Sequence, residues 1–354
     1  MILHIISSLT RGGRERQLAG ILKHTDAKAI VFNKSAISYE EEYDLTGKIF
    51  YLTSRNPVIR FFQMHRIIRY EKPAIIWSWG GFEATFAMLV SLITPARHIN
   101  GSIRHGIVLF NRKQLWRKII LHLSRQIVAN SHAGLKANGL KRGNVLYNGL
   151  DEKFFHPVDT KQYLAQNPEI GDKLAGNAMV LISVANLIPY KDYFTVLKAM
   201  EMVRNEGYDF IYLVVGEGPN RAVLEEEIGK RNLENHVFLL GRRQDVRELL
   251  ALSDIFIHSS LGEGCSNAII EAMAAGLSVI ASHTGGTPEI LDDSYGRLFE
   301  FKNRDQLKAH ITRALENPRE AEAMGRTAMA VARERFSFAR MVSDYENIIT
   351  EITK

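Results

Sequence analysis

The sequence predicts an α/β protein with two Rossmann-like domains, and three observations support this fold class. The chain has 354 residues, more than a single hydrophobic core usually holds. Short apolar runs alternate with segments of helical spacing, which is typical of βαβ units and a mostly parallel sheet. The alternation breaks at residues 148–173, a stretch of mixed polar residues with glycine and proline, and then begins again.

The first domain is predicted from six short apolar runs. Each run is followed or preceded by a helical pattern, so the sheet should carry helices on both faces. The predicted strands are 2–7, 29–32, 49–52, 74–78, 98–102 and 126–129. Ligands in such sheets bind beyond the carboxyl ends of the strands, so the loops that follow the strands are the candidate sites.

The second domain is predicted from a second series of strands, and the chain becomes helical from residue 305. These predicted strands are 180–184, 211–215, 237–240, 255–258, 277–281 and 296–299. The last segment carries an apolar stripe at helical spacing, so it should pack on another element. We therefore expect an N-terminal domain at 1–160, a C-terminal domain at 161–335 and a terminal helix at 336–354.

Positive charge is concentrated in the first half of the chain. Residues 1–150 hold 22 Lys and Arg against 8 Asp and Glu, whereas residues 151–354 hold 23 against 31. A surface this basic suits an anionic partner such as acidic lipid headgroups, a phosphorylated acceptor or nucleic acid. An excess of basic residues that only aids solubility is the alternative. No recognised nucleic-acid motif or aromatic stacking platform occurs, so we expect no nucleic-acid partner.

The sequence predicts neither a membrane-spanning segment nor an export signal. The longest apolar stretch, 82–95, contains Glu83 and is shorter than the roughly 20 residues that span a bilayer. At the N-terminus, the arginines follow the apolar run instead of preceding it, unlike an export signal. The single cysteine, Cys265, excludes an internal disulfide and fits a reducing compartment. These observations predict a cytoplasmic protein.

The most informative motif is SSLGEGCSNAIIEAMAAGLSVIAS, at 259–282. It predicts the end of a strand, a glycine-flanked loop that carries Glu263, and a helix that begins near Ser266 and Asn267. The first turn of such a helix presents backbone N–H groups and the positive end of its dipole to an anion. Glu271 lies about one turn into the helix, so the two carboxylates can bind hydroxyl groups at two ends of one ligand. Two surface acids beside a helix start are the alternative interpretation.

Glu263 and Glu271 resemble the E-x7-E motif of family 4 retaining glycosyltransferases, in the form EGxxNxxxEAMAxGxPV. The resemblance implies the GT-B fold, in which two Rossmann-like domains face each other across a cleft and the C-terminal helix packs back on the first domain. It also implies that Glu263 lies near the donor sugar and that Glu271 contacts the ribose. The same loop would place Gly264, Ser266 and Asn267 against the donor. The chain lacks the proline that commonly precedes the last valine of the motif.

Three further segments of the second domain follow the order of this family. In VANLIPYKDYFTVLKAM, Lys191 matches a lysine that meets the donor diphosphate, and Asn186 stands where an arginine is usual. VVGEGPN places Gly216 in a tight turn, but it lacks the third glycine of a dinucleotide-binding fingerprint. Arg242 and Arg243 follow the next strand and are candidate neighbours of the base or the phosphates, with an exposed pair as the alternative.

Two pairs of glycines mark loops where the backbone can approach a ligand closely. Gly12 and Gly13 follow the first strand, and the family has a similar segment that faces the donor phosphates, where Arg16 would help. The second pair lies in HTGGTPEIL, at 283–291. His105 follows a strand of the first domain, where family members often place a residue near the acceptor or the donor sugar. A core or surface histidine is the alternative for His105, and the adjacent Arg104 has the same two interpretations.

The resemblance implies a metal-independent, hexosyltransferase-type enzyme that moves a sugar with retention from a nucleotide diphosphate sugar. UDP is the first guess for the nucleotide, and Glu263, Lys191 and His105 are the expected catalytic residues. No cofactor is expected, because the nucleotide sugar is a substrate. Neither a D-x-D triplet nor a metal-ligand histidine spacing occurs. The expected acceptor is a glycan or a lipid-linked precursor of a surface polysaccharide such as lipopolysaccharide.

A protein of another class is the alternative to this enzyme. The same features would suit a non-catalytic protein that binds a nucleotide sugar or a polyanion. Release of a nucleoside diphosphate in the presence of an acceptor distinguishes the two, because a binding protein takes up the nucleotide without turning it over.

Two segments mix basic and apolar residues at helical spacing, at 55–73 and 110–126. One of them could lie on an anionic membrane surface with its basic side chains toward the lipid headgroups. The alternative is that both apolar stripes face the protein core. The first interpretation predicts a peripheral enzyme on the inner face of the cytoplasmic membrane.

Overall fold

The computed structural model describes residues 1–107 and 112–354, which divide into two compact units. The first unit consists of residues 1–149 and 338–354, and the second consists of residues 150–337. Each unit is built around one β-sheet in which the paired strands are parallel. The predicted fold class, α/β with two Rossmann-like domains, is confirmed.

The sheet of the first unit has seven strands in the order β3-β2-β1-β4-β5-β6-β7. The strands are β1 (Ile2–Ile6), β2 (Lys28–Val31), β3 (Ile49–Tyr51), β4 (Ile75–Ser78), β5 (Arg97–Ile103), β6 (Gln126–Ala129) and β7 (Asn144–Val145). The helices of this unit are α1 (Gly13–His24), α2 (Pro57–Glu71), α3 (Gly81–Ser91), α4 (Arg112–Leu123), α5 (His132–Ala137) and the last helix of the chain, α15 (Phe338–Thr353). The strand order reverses between β1 and β4, which is where such sheets bind ligands.

Helices cover both faces of this sheet. Apolar side chains of α1 and α15, such as Leu18 and Phe338, pack in one cluster with Trp77 of β4. Those of α2 and α3, such as Met64 and Phe86, pack in another cluster with Ile76. Ile76 and Trp77 are neighbours on one strand, so their side chains point to opposite faces of the sheet. The two clusters are therefore the two layers of the core.

The terminal helix α15 is held to the sheet of the first unit by a buried aromatic group. Nε2 of His4 lies 3.0 Å from the hydroxyl of Tyr345, and the rings of Tyr345 and Trp77 are stacked with centroids 5.2 Å apart. The sequence indicates an apolar stripe on this segment, and the structure buries that stripe against the first unit. Its residues Phe338, Met341 and Tyr345 are all buried.

The sheet of the second unit has six strands in the order β10-β9-β8-β11-β12-β13. The strands are β8 (Met179–Val184), β9 (Phe210–Val215), β10 (Val237–Gly241), β11 (Ile255–His258), β12 (Ser278–Ser282) and β13 (Arg297–Phe299). The helices are α6 (Thr160–Gln166), α7 (Pro168–Lys173), α8 (Tyr193–Asn205), α9 (Arg221–Lys230), α10 (Val246–Ala251), α11 (Asn267–Ala274), α12 (Thr287–Ile290), α13 (Arg304–Glu316) and α14 (Pro318–Phe336). Here the strand order reverses between β8 and β11.

The structure divides the chain after Gly149, about ten residues before the boundary expected from the sequence. The segment that follows Gly149 is bound to the second unit by contacts with the end of α14. The backbone N–H of Leu150 donates to the carbonyl of Phe336 at 2.7 Å, and the guanidinium of Arg333 lies 5.3 Å from the ring centre of Phe155. These contacts join residues about 180 positions apart, so local sequence patterns do not reveal them.

The stretch that interrupts the strand pattern contains short helices. A 3-10 helix at Glu152–Phe155 precedes α6 and α7.

In the described part of the chain, no helix has both the length and the apolar character needed to cross a lipid bilayer.

Candidate active site

A cluster of ionisable side chains lies beyond the carboxyl ends of β8 and β11, where the strand order of the second sheet reverses. The loop after β8 carries Lys191, and the loop after β11 carries Glu263. The two loops are joined by their backbones, since the N–H of Leu261 donates to the carbonyl of Tyr190 at 2.9 Å. Because α/β sheets bind ligands at such a reversal, this is the expected ligand site of the second unit.

Lys191, Glu263 and His258 form one cluster at this position. The ammonium of Lys191 donates to Oε1 of Glu263 and lies 3.2 Å from Nε2 of His258. The same imidazole nitrogen lies 3.6 Å from Oε2 of Glu263. His258 and Lys191 are almost fully buried, whereas the side chain of Glu263 is 23% exposed. Glu263 is therefore the member of the cluster that is most open to a ligand.

The electrostatics of the cluster fix its charges at neutral pH. Burial raises the pKa of the Glu263 carboxyl, but the nearby Lys191 ammonium outweighs burial and holds this pKa well below its ordinary value. Burial, together with Lys191, lowers the pKa of His258 below its ordinary value. Glu263 is thus a carboxylate and His258 is neutral. A neutral imidazole can accept the Lys191 hydrogen bond at Nε2 when its proton is on Nδ1.

This arrangement provides a cation whose position is set by two neighbours. A buried ammonium that is held between a carboxylate and an imidazole cannot easily rotate away from the site. Such a preorganised charge stabilises negative charge that develops on a ligand, because the protein does not have to reorganise during the reaction. The exposed part of Glu263 can in addition accept a hydrogen bond from a ligand hydroxyl group.

Glu271 and the residues of the motif between the two acids lie in the loop and helix that follow Glu263. Ser266 precedes α11 and makes no side-chain cap, and Asn267 is the first residue of the helix. Glu271 is the fifth residue of α11 and is buried. Gly264 is buried in the loop. The helix begins where the sequence predicts it.

Two glycines shape the loops around the cluster. Gly216 has a φ of 148°, and a Cβ atom there would lie 2.0 Å from the carbonyl oxygen of Ala185. Gly285 has a φ of 53°, and a Cβ atom there would lie 2.4 Å from the carbonyl oxygen of Glu263. The next residue, Gly286, donates its N–H to that same carbonyl at 2.8 Å. Both glycines therefore permit close contact with protein backbone, and the HTGGTPEIL segment supports the loop of Glu263.

Replacing Gly285 by alanine is expected to lower both stability and activity. The new methyl group meets the Glu263 backbone, and a φ of 53° is unfavourable for a side-chain-bearing residue. We expect a loss of about 1–3 kcal/mol in the free energy of unfolding and at least a tenfold decrease in kcat, measured by thermal unfolding and by turnover. Gly171→Ala is the matched control, because a Cβ atom there has no neighbour within 4 Å. A Gly285→Ala protein with normal Tm and kcat would contradict this role.

The two arginines after β10 have different environments. Arg242 is exposed. The Arg243 Nε donates to Asp245 at 2.9 Å, and the hydroxyl of Tyr163 on α6 donates to the same carboxylate at 2.6 Å. Arg243 thus stabilises the packing of α6.

Asn186 is exposed in the loop after β8, which also carries Lys191.

The remaining predicted residues belong to the first unit. Gly12 is the residue before α1, Gly13 is its first residue, and Arg16 lies in its first turn, where the N–H of Arg16 donates to the carbonyl of Gly12 at 3.0 Å. His105 follows β5 and is exposed. The described residues thus place Lys191 and Glu263 in direct contact, whereas these four residues lie in the other unit.

Two groups near the predicted sites were not assembled from the sequence, although Arg104 of the second group is a sequence candidate beside His105. The first is His258, whose only sequence signal is a histidine at the last position of an apolar strand. The second lies beyond the carboxyl ends of β1 and β4, where the strand order of the first sheet reverses. The Arg14 guanidinium donates to Glu15 at 2.8 Å and to the carbonyl of Trp79 at 3.3 Å, and the Arg104 guanidinium lies 4.2 Å from a Trp79 ring centre. This group makes the ligand edge of the first sheet basic and aromatic.

Comparison with known proteins finds similarity to glycosyltransferases. A family model described as Glycosyl transferases group 1 matches residues 169–331. The chain is 26% identical to the putative glycosyltransferase EpsF of Bacillus subtilis (strain 168), over 79% of this chain and 78% of that protein. It is also 26% identical to N-acetyl-alpha-D-glucosaminyl L-malate synthase of Bacillus anthracis, over 72% of this chain and 64% of that protein.

Solved structures share the fold over nearly the whole chain. Anabaena Alr3699/HepE in complex with UDP superposes with a TM-score of 0.85 at 20% identity, covering 99% of both chains. A glycosyltransferase from Rickettsia africae superposes with a TM-score of 0.84 at 20% identity, covering 100% of this chain and 98% of that one. The two-domain α/β fold is thus shared with glycosyltransferases of the GT-B class. Within this fold, residues 169–331 carry the similarity to group 1 glycosyl transferases.

Proposed function

We propose that the protein is a retaining hexosyltransferase that transfers a sugar from a UDP-sugar to a glycan or lipid-linked acceptor of surface polysaccharide synthesis. The observation that carries this proposal is the Lys191–Glu263–His258 cluster at the strand-order reversal of the second sheet. Within the proposal, the second unit binds the donor and the first unit binds the acceptor. The structures of Alr3699/HepE with UDP and with UDP-glucose support UDP-sugars as the first donors to test.

The proposed chemistry follows from the charge of the leaving group. The bond between the sugar C1 and the diphosphate oxygen breaks, and an acceptor hydroxyl forms the new bond on the same face. The hydroxyl proton passes to the departing diphosphate. Lys191 and the N–H groups at the start of α11 stabilise the charge on this diphosphate, so the proposal needs no metal ion or cofactor. Glu263 orients the donor sugar, and Glu271 binds the ribose.

A screen of nucleotide sugars by thermal unfolding tests the donor. A ligand at about a hundred times its Kd stabilises the folded state by about 2.7 kcal/mol, and a domain of this size then gains roughly 5–10 °C in Tm. We expect such a rise with at least one of UDP-glucose, UDP-galactose and UDP-N-acetylglucosamine. GDP-mannose is the nucleotide control. Absence of a shift with every UDP-sugar would contradict the proposed donor.

Turnover distinguishes the enzyme from the non-catalytic alternative. A sugar-nucleotide-binding protein would give the thermal shift but would not release UDP when acceptors are added. We expect UDP release together with a mass increase of one hexosyl unit on a lipid-linked or glycan acceptor. In this proposal the enzyme works as a peripheral protein on the cytoplasmic face of the membrane.

A further inference from the structure

The first unit exposes an unusual number of large apolar side chains on three neighbouring helices. α3 contacts both α2 and α4, and α2 and α3 cover the same face of the sheet. The exposed residues are Val58, Ile59, Phe62 and Tyr70 on α2, Phe82, Leu89, Leu92 and Ile93 on α3 and its end, and Leu115, Trp116, Ile119 and Leu123 on α4. We call these twelve residues the apolar face. In the rest of the described chain, the only other large apolar side chains that are exposed belong to Met1, Ile37, Val223 and Leu261.

These side chains are additional to those that build the core. The inner sides of the same helices already bury apolar residues, such as Met64 on α2, Val90 on α3 and Leu121 on α4. The interpretation that these apolar stripes face the core therefore describes the inner sides of α2 and α4. The interpretation that one of the segments 55–73 and 110–126 lies on a membrane concerns their outer sides. The structure adds α3, which neither segment includes, and thereby joins them into one surface.

Two aromatic side chains of the apolar face are held by contacts with α3. The indole N–H of Trp116 on α4 donates to the hydroxyl of Thr85 on α3 at 3.2 Å. The ring of Phe82 packs edge to face on Phe86, with centroids 5.0 Å apart. Trp116 is nevertheless 54% exposed and Phe82 is 55% exposed. The fold thus holds these aromatic side chains in place and leaves about half of each residue's surface exposed.

The surroundings of the apolar face are basic. Residues 55–126 contain twelve Lys and Arg, and their only acids are Glu71 and Glu83. Glu71 pairs with Lys28 at 2.8 Å, and Glu83 is 3% exposed. Exposed arginines on α2 include Arg66 and Arg69. A second copy of the same face would bring like charges together, which costs several kcal/mol at an interface.

We propose that the apolar face is the surface by which this protein docks on a bilayer of acidic lipids. The apolar and aromatic side chains enter the boundary between headgroups and acyl chains, and the arginines extend to the phosphates. The first turns of α2 and α3 carry Val58 and Phe82, and these turns lie at the carboxyl edge of the sheet. Trp79 and Arg104 mark that same edge. An acceptor anchored in the bilayer therefore meets the ligand edge of the first unit, a consequence that rests on the proposed function.

Trp116 provides a direct test in the unmodified protein. The other two tryptophans, Trp77 and Trp79, are buried, so Trp116 dominates changes of fluorescence at the surface. Vesicles of phosphatidylcholine mixed with phosphatidylglycerol should shift the emission to the blue, and brominated acyl chains should quench it. Vesicles of phosphatidylcholine alone should bind at least tenfold more weakly. Equal binding to both vesicles, or a lack of quenching, would overturn the proposal.

Variants separate the apolar from the electrostatic contribution. In co-sedimentation with the acidic vesicles, the triple variant Phe62→Ser, Leu92→Ser, Trp116→Ser should bind at least tenfold more weakly. Each arginine removed, as in Arg66→Gln or Arg69→Gln, should weaken binding about fivefold at low salt. Val223→Ser, an exposed apolar position on α9 in the second unit, is the matched control. Circular dichroism and Tm verify that each variant folds.

Two further outcomes would contradict the docking surface. If the triple variant binds vesicles like the unmodified protein, the apolar face is not the contact. If sedimentation velocity shows a dimer that the triple variant abolishes, the face joins two copies of the chain instead. Vesicle binding is measured without donor or acceptor. It can therefore be observed when the UDP-sugar assay fails, and it can be absent when that assay succeeds.

Discussion

Replacing Lys191 by methionine is expected to reduce kcat about 100- to 1,000-fold. Methionine keeps the length of the side chain but removes the ammonium, which the proposed mechanism uses to stabilise the departing diphosphate. The loss should appear in kcat, measured as UDP release at saturating donor and acceptor. Lys191→Arg is the matched variant, because it retains the charge in a different geometry, and it should keep more activity than Lys191→Met.

The same variant should change the pH dependence of the residual activity. In the unmodified protein, the Lys191 ammonium holds the Glu263 pKa low against the effect of burial. Without the ammonium, burial raises this pKa, so the carboxylate is protonated at a higher pH. Activity that needs the carboxylate then declines at a higher pH as the solution is acidified. A Lys191→Met enzyme with kcat within threefold of normal and an unchanged acid limb would refute the role of the cluster.

Replacing the two motif glutamates singly by glutamine should separate catalysis from donor binding. Glu263→Gln removes a charge beside the donor sugar, and we expect kcat to fall about 100-fold with a small change in donor KM. Glu271→Gln weakens a hydrogen bond from a hydroxyl group to a carboxylate, which contributes about 1.5–3 kcal/mol. We therefore expect the donor KM to rise roughly 10- to 100-fold with a smaller change in kcat.

An exposed acid of the same unit provides the control for these variants. Glu225 lies on α9, its side chain is 53% exposed, and it pairs with Arg221 on the surface. Glu225→Gln should leave both kcat and KM unchanged, because exposed ion pairs contribute little. Joint replacement of Glu263 and Glu271 by alanine should abolish detectable turnover. Full turnover in that double variant would show that Glu263 and Glu271 do not have the roles that the E-x7-E resemblance implies.

Part of the candidate site could be predicted because its residues lie in short, regular segments. The helix after Glu263 begins at Asn267 as the motif indicates, and Lys191 follows the strand that the apolar run 180–184 predicts. His258 could not be assigned, because its contact with Lys191 joins positions 67 residues apart. Arg242 and Arg243 are adjacent in sequence. Only the structure shows that Arg243 pairs with Asp245, which also binds Tyr163, and that Arg242 is exposed.

The sequence alone determined where strands and helices form, that they make two parallel-sheet units, and which loops carry the acids and the lysine. These properties follow from hydrophobic periodicity and turn residues over a few positions. Only the tertiary structure decided the domain boundary after Gly149, the burial of His258 and the Lys191 contact of Glu263 that set their charges, and the side of each helix that stays exposed. The reason is physical: burial and pKa depend on which distant segments pack against a residue, and a helix with two apolar sides does not specify which side the sheet covers.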